Sequence, residues 1–423
     1  MPQNPYVPVE EGWDQTLSMF LEGYRFIPNR CYKYNSPLFQ IRLLGKTVIC
    51  MSGHEAAAIF YDPLHFKRKK VAPNRILQSL FGKGGVQGMD GVQHDHRKEM
   101  FMSLMTPDQL DKLRQITEKQ WHITVQQWMN FDQLSFFAEV EQVMCQIACI
   151  WAGVPIKAHE LPMRTRDLSA MIDAFGAVGP RHWQGRMARK RSERWIRLLI
   201  RDLRVGKQTV AENAPLHTIA FHRDLNGKLL PVQIAAVEVL NILRPIVAIG
   251  RYITFGVVAL HQYPETYEKM EADAGKHRYS QWFVQEVRRF YPFGPFLGAK
   301  VRQPFIWNNC VFEKDTLVLL DIYGTNRDPN VWEKPYAFQP ERFENWDGHP
   351  YNFIPQGGGD YDKNHRCAGE WVTIDMMQKT LEFLTQQIEY DIPKQDLSYS
   401  LRRIPSVPKS RVIMQHVRWK DKN

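Results

Sequence analysis

Cysteine is scarce in this chain: six residues in 423, namely Cys31, Cys50, Cys145, Cys149, Cys310 and Cys367. That density excludes a disulfide framework. Cys145 and Cys149 lie one helical turn apart with no companion His or Cys at zinc spacing, so both read as core. No uninterrupted apolar run reaches the roughly 20 residues of a membrane span. The longest candidate, residues 234–260, is broken by Glu238, Arg244, Pro245 and Arg251. The opening stretch MPQNPYVPVEEGWDQ is polar and unlike a secretory leader. There are no repeats, no low-complexity tracts and no obvious linkers. No Gly-Lys-Ser/Thr follows the glycine-rich residues 80–91 at phosphate-loop spacing. The net charge of +10 comes without a nucleic-acid motif, so it reads as a basic surface. The expectation is one soluble, cytoplasmic domain covering residues 1–423, with no nucleic acid and no integral membrane segment.

Aromatic and apolar residues are abundant, with 12 Trp, 23 Phe and 44% hydrophobic content, enough for a large core. Residues 38–44 and 47–51 are β-rich runs separated by Gly45-Lys46, which predicts a hairpin. A short helix is expected at 54–60 and a basic loop at 66–74. Thr106-Pro107-Asp108 has the composition of a helix start. Helices are expected to about 129, over 131–152, over 160–175 and over 181–204. The last carries Arg186, Arg189, Lys190, Arg191, Arg194, Arg197 and Arg201, read as a solvated face opposite Trp195, Leu198, Leu199 and Leu203. Residues 231–262 are apolar nearly all round and should cross the core. Strands are expected at 300–323 and 397–419. The fold class is mainly α with small β-sheets.

Three features carry chemistry. The loop FIPQGGGDYDKNHRCAGE, residues 353–370, places Cys367 after three glycines and before a helical pattern at Met377, Leu381, Leu384 and Ile388. A helix N-terminus favours a thiolate, and glycines let backbone approach something flat. A metal, haem iron among others, suits that thiolate; a buried structural cysteine is the alternative. Second, Arg244-Pro245 sits inside the apolar pattern 231–262. Proline should kink the helix, and a buried cation needs an anionic partner. Glu238 is six residues away and poorly phased for that role, which leaves a bound carboxylate as a candidate. Third, Glu286 and Arg289 are spaced i, i+3 for an ion pair. His94 and His96, two apart, face different directions and do not make a metal pair; His94 suits an anionic ligand.

Glu286-x-x-Arg289, then Pro340-Glu341-Arg342-Phe343, then the Cys367-x-Gly369 loop stand in the order found in cytochrome P-450 proteins, which the chain resembles throughout. The resemblance implies the P-450 fold and haem b with Cys367 as axial thiolate. It implies that Gly357 and Gly369 lie against the cofactor, and that Arg68, His94 and His365 serve its propionates. Glu286, Arg289 and Arg342 would form a buried scaffold network. Oxygen-activating members carry an acid followed by Thr on the central helix; the window LNILRPIVAIG has neither, and Thr254 is too far along. Arg244-Pro245, QGGG…HRC, FGAVGPRHW and YPFGPF instead resemble the bacterial fatty-acid peroxygenase branch. Asn364 and Ala368 depart from the usual Gly and Pro, with little change expected because Asn tolerates left-handed backbone.

That branch implies hydroxylation of long-chain fatty acids with hydrogen peroxide, chiefly at Cβ, with terminal alkene as a side product. The catalytic residues would be Arg244, Pro245 and Gln87. Gln87 matches the position that biases hydroxylation against decarboxylation, which His there favours. Leu80, Phe81, Phe175, Phe293 and Phe296 would line the acyl channel, and Arg244 would anchor the carboxylate. No redox partner would be required. A partner-dependent monooxygenase and a non-catalytic haem or fatty-acid sensor are the competing readings.

Overall fold

A computed structural model describes residues 7–421. The first six residues, part of the polar opening stretch, and the last two lie outside the described residues. The helix Val232–Gln262 is the axis of the fold: nearly every side chain from Ala235 to Leu260 is buried. It packs against Phe136–Ala152, Leu161–Asp173, Pro180–Arg204 and Glu370–Gln386. An all-round apolar sequence requires such an enclosure. Gly256 permits one of these contacts, since a Cβ there would lie 2.8 Å from Leu381. By length and composition this helix could cross a membrane, but it is the core of this fold. It continues as one helix through Pro245. Its second interior cation, Arg251, is neutralised by Glu141 at 3.0 Å and Asp173 at 2.7 Å.

The sheets are small and peripheral. The largest runs Leu38–Leu43, Lys46–Met51, Leu317–Asp321, Phe296–Val301, Phe66–Lys67 in spatial order. Its expected hairpin pairs Leu38 with Met51 through Leu43 with Lys46. Leu44 and Gly45 turn it with φ of 50° and 72°, the left-handed pair that matches strand twist.

Several boundaries differ from the sequence reading. The helix expected from residue 131 starts at Phe136, because Gln133–Ser135 pairs as a strand with the C-terminal Ile413–Trp419. The helix after Cys367 ends at Gln386, and Ile388 opens a strand instead. Of residues 397–419 only Ile413–Trp419 is a strand. Thr106 precedes the helix Pro107–Trp128 without a side-chain cap. On Pro180–Arg204 the buried face is Ala188, Arg189, Ser192, Ile196, Ile200 and Leu203, while Leu198 is exposed. Arg189 thus leaves the solvated face, drawn in by backbone carbonyls supplied from another element.

Candidate functional site

Cys367 precedes the helix Glu370–Gln386, whose first turn begins where Glu370 N–H donates to the Cys367 carbonyl at 3.2 Å. The Cys367 N–H donates to Gln356 O at 3.0 Å, which ties the cysteine to the glycine loop. Gly357, at φ 97°, turns that loop where a Cβ would meet the Tyr61 hydroxyl at 3.0 Å. Gly369 faces Cys367 without a side chain; a Cβ there would sit 3.9 Å from Sγ. Burial pushes the Cys367 thiol above its ordinary range, and the Gly369 N–H, Lys98 and Arg288 only partly oppose it. The Gly369 N–H at the helix start favours the thiolate, as the sequence reading expects, and works against the burial of the thiol. A bound metal cation would add to that preference for the thiolate. Asn364, expected to need left-handed tolerance, is not among the positive-φ residues.

Basic groups gather on one side of this loop. The His94 and His365 rings lie 4.0 Å apart. Lys98 Nζ donates to Arg366 O at 2.6 Å, next to Cys367. Arg68 stacks over Phe60 at 4.3 Å and makes no ion pair among the described residues. Burial lowers Arg68 to about 10. His365 falls to about 2, first through burial and then through Arg68, His94 and Lys98. Two carboxylates border the cluster: Asp95 lies 3.2 Å from His94 Nδ1, and Asp90 accepts the backbone N–H groups of Arg68 and Lys69 at 2.7 and 2.8 Å. A cysteine sulfur near two cations, Arg68 and Lys98, and the imidazole N–H donors of His94 and His365 fits a haem iron with its two propionates. Lys98 was missed in the sequence. Its signal was there: it follows His94 by four residues, hence on the same helix face.

Beneath the loop, Arg288 reaches Glu370 at 2.6 Å and Gln356 at 2.8 Å, and Arg366 reaches Glu370 at 2.6 Å. Further back, Arg289 grips both oxygens of Glu286 at 2.7 Å, and Arg342 approaches Glu286 at 3.2 Å. The motif residues thus assemble as a scaffold.

On the central helix stands Arg244, 6% exposed. No carboxylate pairs with it among the described residues; its guanidinium donates to the carbonyl of Leu80. Burial lowers Arg244 to about 9, with Arg189 adding repulsion and Cys367 and Glu238 opposing. Arg189 donates to Leu80 O at 2.9 Å and Phe81 O at 3.4 Å. Leu80 and Phe81 belong to a π-helical turn, Leu77–Phe81, a deviation frequent at functional sites. Gly82, at φ 80°, ends the turn where a Cβ would strike Arg189. Gln87 reaches the central helix too, its side-chain oxygen accepting from Asn241 Nδ2 at 3.3 Å.

The aromatic residues expected to line a channel divide. Phe293 stacks on Tyr252 of the central helix at 5.2 Å, and Phe175 is half-buried in the loop after Leu161–Asp173. Phe296 instead opens a sheet strand and packs with the Phe26, Phe39 and Leu319 cluster. Its packing is that of a sheet residue.

The cytochrome P450 family profile matches residues 259–411. Among curated proteins, the 11-hydroxysugiol 20-monooxygenase of Salvia miltiorrhiza is 27% identical over 169 residues, 35% of this chain and 33% of that one. The match spans between about a quarter and a third of the length of the first curated relatives. Solved structures match throughout. Cytochrome P450EX alpha with myristic acid is 43% identical over 98% of this chain and 99% of its own, with a TM-score of 0.94. A variant of cytochrome P450 OleT in complex with arachidonic acid is 35% identical over 99% of each chain, with a TM-score of 0.95. The chain belongs to the cytochrome P450 family and is a haem-thiolate protein. Within that family it falls in the CYP152 peroxygenase group.

Proposed function

We propose that the chain, acting as one domain, uses hydrogen peroxide to hydroxylate long-chain fatty acids next to the carboxyl group, chiefly at Cβ. Some substrate loses CO2 to give a terminal alkene. The observation that carries this reading is Arg244: a buried guanidinium on the central helix that pairs with no carboxylate among the described residues and rests on the Leu80 carbonyl. Relatives of known structure hold myristic and arachidonic acids.

When bound through Cys367, the haem supplies oxidative activation of peroxide, favoured by electron release from the thiolate. The chain itself supplies binding and placement. Arg244 exchanges the Leu80 carbonyl for the substrate carboxylate, whose two oxygens match the guanidinium fork. Cleaving peroxide needs a base at one oxygen and an acid at the other. Glu238, the nearest acidic residue on the helix, is occupied by Arg97, Asn241 and the Val86 N–H. Thr254 is spent on Gly250 O at 2.7 Å. The bound carboxylate is then the group that takes and returns the proton. Anchoring it also presents Cα and Cβ to the reacting centre. The overall balance is fatty acid plus hydrogen peroxide to hydroxy acid plus water, or to alkene, CO2 and two waters.

The test combines the haem-loaded protein with a long-chain fatty acid and peroxide, without reductase or reduced nicotinamide. Hydroxy acid and alkene are expected by mass analysis. Product formed only with a reductase system would favour the monooxygenase reading, and none at all would end this one. Replacing Gln87 by His is expected to raise the alkene share several-fold, on the order of 1 kcal/mol in the competing barriers. An unchanged product ratio would remove Gln87 from the partition.

A further inference from the structure

The buried pair Glu238–Arg97 lies outside the steps above. Glu238, wholly buried on the central helix, receives Arg97 Nη1 at 2.6 Å and the Val86 N–H at 3.1 Å on one oxygen. Asn241 Nδ2 donates to the other oxygen at 2.8 Å. A carboxylate facing three donors is held as an acceptor, so it dictates which end of the Asn241 amide turns towards it. The NH2 is committed to Glu238 and to Gln87. The carbonyl oxygen is left over. Asn241 is 9% exposed, and its Oδ1 has no partner among the described residues. An unsatisfied buried carbonyl is costly unless a ligand or water supplies the donor. Asn241 precedes Arg244 by three residues, so the two share a helix face. Both reach the same loop, Arg244 at Leu80 and Asn241 at Gln87.

We infer that Glu238 and Arg97 are positioning residues that fix the Asn241 carbonyl as an acceptor for an O–H donor beside Arg244, a water at rest and hydrogen peroxide during turnover. The oxidant half of this inference rests on the peroxygenase reading; the acceptor itself rests on the geometry of four side chains and one backbone N–H. Val86 gives the pair a second function. By holding Val86 N–H, Glu238 fixes the loop residue next to Gln87, so a single carboxylate sets both amide side chains. Gly85 leaves room for this arrangement: a Cβ there would lie 2.9 Å from Gln87 Oε1 and 3.0 Å from Asn241 Nδ2.

Crystals of the haem-loaded wild type should show an ordered oxygen within hydrogen-bonding distance of Asn241 Oδ1, water before and peroxide after a soak. Glu238→Gln can donate as well as accept, so the Asn241 amide is free to turn and that oxygen should be lost. Its KM for peroxide should rise about tenfold, a transition-state or binding loss read directly from steady-state kinetics. Fatty-acid affinity, followed by spectral titration, should change far less than the peroxide KM, because the Arg244 guanidinium that would hold the carboxylate is kept. Asn241→Leu keeps the ion pair and should lose the same oxygen, which guards against misfolding of the first variant. A wild-type Oδ1 with no bound oxygen overturns the acceptor. An unchanged peroxide KM in both variants overturns its part in holding the oxidant. Should the wild type make no product with peroxide, the peroxygenase reading fails, while the density at Oδ1 and its loss in Glu238→Gln still decide this inference.

Discussion

Arg244→Ala is expected to retain haem and to lose fatty-acid turnover by at least about a hundredfold, as for removal of a group needed in proton transfer. The fold should bear the change. Arg244 has no ion pair to break among the described residues, and its hydrogen-bond acceptor, Leu80 O, keeps Arg189 at 2.9 Å. Removing a buried, unpaired cation relieves desolvation; the cost is the volume of the side chain. Binding is another matter. The substrate carboxylate would enter a buried pocket with nothing of opposite charge, a loss of about 2–5 kcal/mol for one partner of a desolvated pair. Arg244→Lys should sit between, since an ammonium keeps the charge but not the two-pronged geometry. The wild type should likewise fail on a fatty methyl ester, which lacks the acid that handles the proton. The measurement is product per haem under peroxide, alongside spectral titration with the acid. Wild-type turnover in Arg244→Ala would eliminate the carboxylate-assisted mechanism.

What could be read from the sequence was what is local or chemically conspicuous. Arg244 stood out as a charge in an apolar helix, and Cys367 as a thiol between glycines and a helix start. Glu286 and Arg289 are neighbours on one turn, and the structure joins them as spaced. Glu238 shows the limit. The sequence offered it as a partner for Arg244 and its phase argued against that. Its true partner, Arg97, is 141 residues away, a pairing that periodicity cannot reveal. Arg189 was misplaced for the same reason: its side-chain environment is made by Leu80 and Phe81 carbonyls from a distant turn. Arg288 and Glu370, 82 residues apart, form the support under Cys367 and carried no local signal. Helix ends failed where long-range strand pairing competed, as at Gln133–Ser135.

Glu286→Ala should cost more stability than any substitution on the molecular surface. The Glu286 carboxylate is fully buried and takes two bonds from Arg289, one contact from Arg342 and the Gln339 N–H at 2.9 Å. Without it Arg289, 1% exposed, remains a buried cation facing the carbonyls of Asn326, Pro335 and Ala337 and the Trp332 ring, with no other carboxylate pairing with it among the described residues. Breaking one side of such a pair costs about 3–5 kcal/mol, a large part of the roughly 5–15 kcal/mol that holds a domain together. The damage should travel to the cofactor. Asn326 also supplies the side-chain oxygen that fixes the Ile354 N–H at 2.8 Å, and Ile354 begins the approach to Cys367. Haem retention per chain should therefore fall together with the urea midpoint. Glu286→Gln, which keeps shape and hydrogen bonds but not charge, should lose less. The deciding comparison is a triple replacement of Glu286, Arg289 and Arg342 by Leu. If the cost arises from an uncompensated buried charge, removing all three charges should destabilise less than removing the carboxylate alone. A Glu286→Ala protein with wild-type midpoint and haem content would show that the network carries no scaffold role.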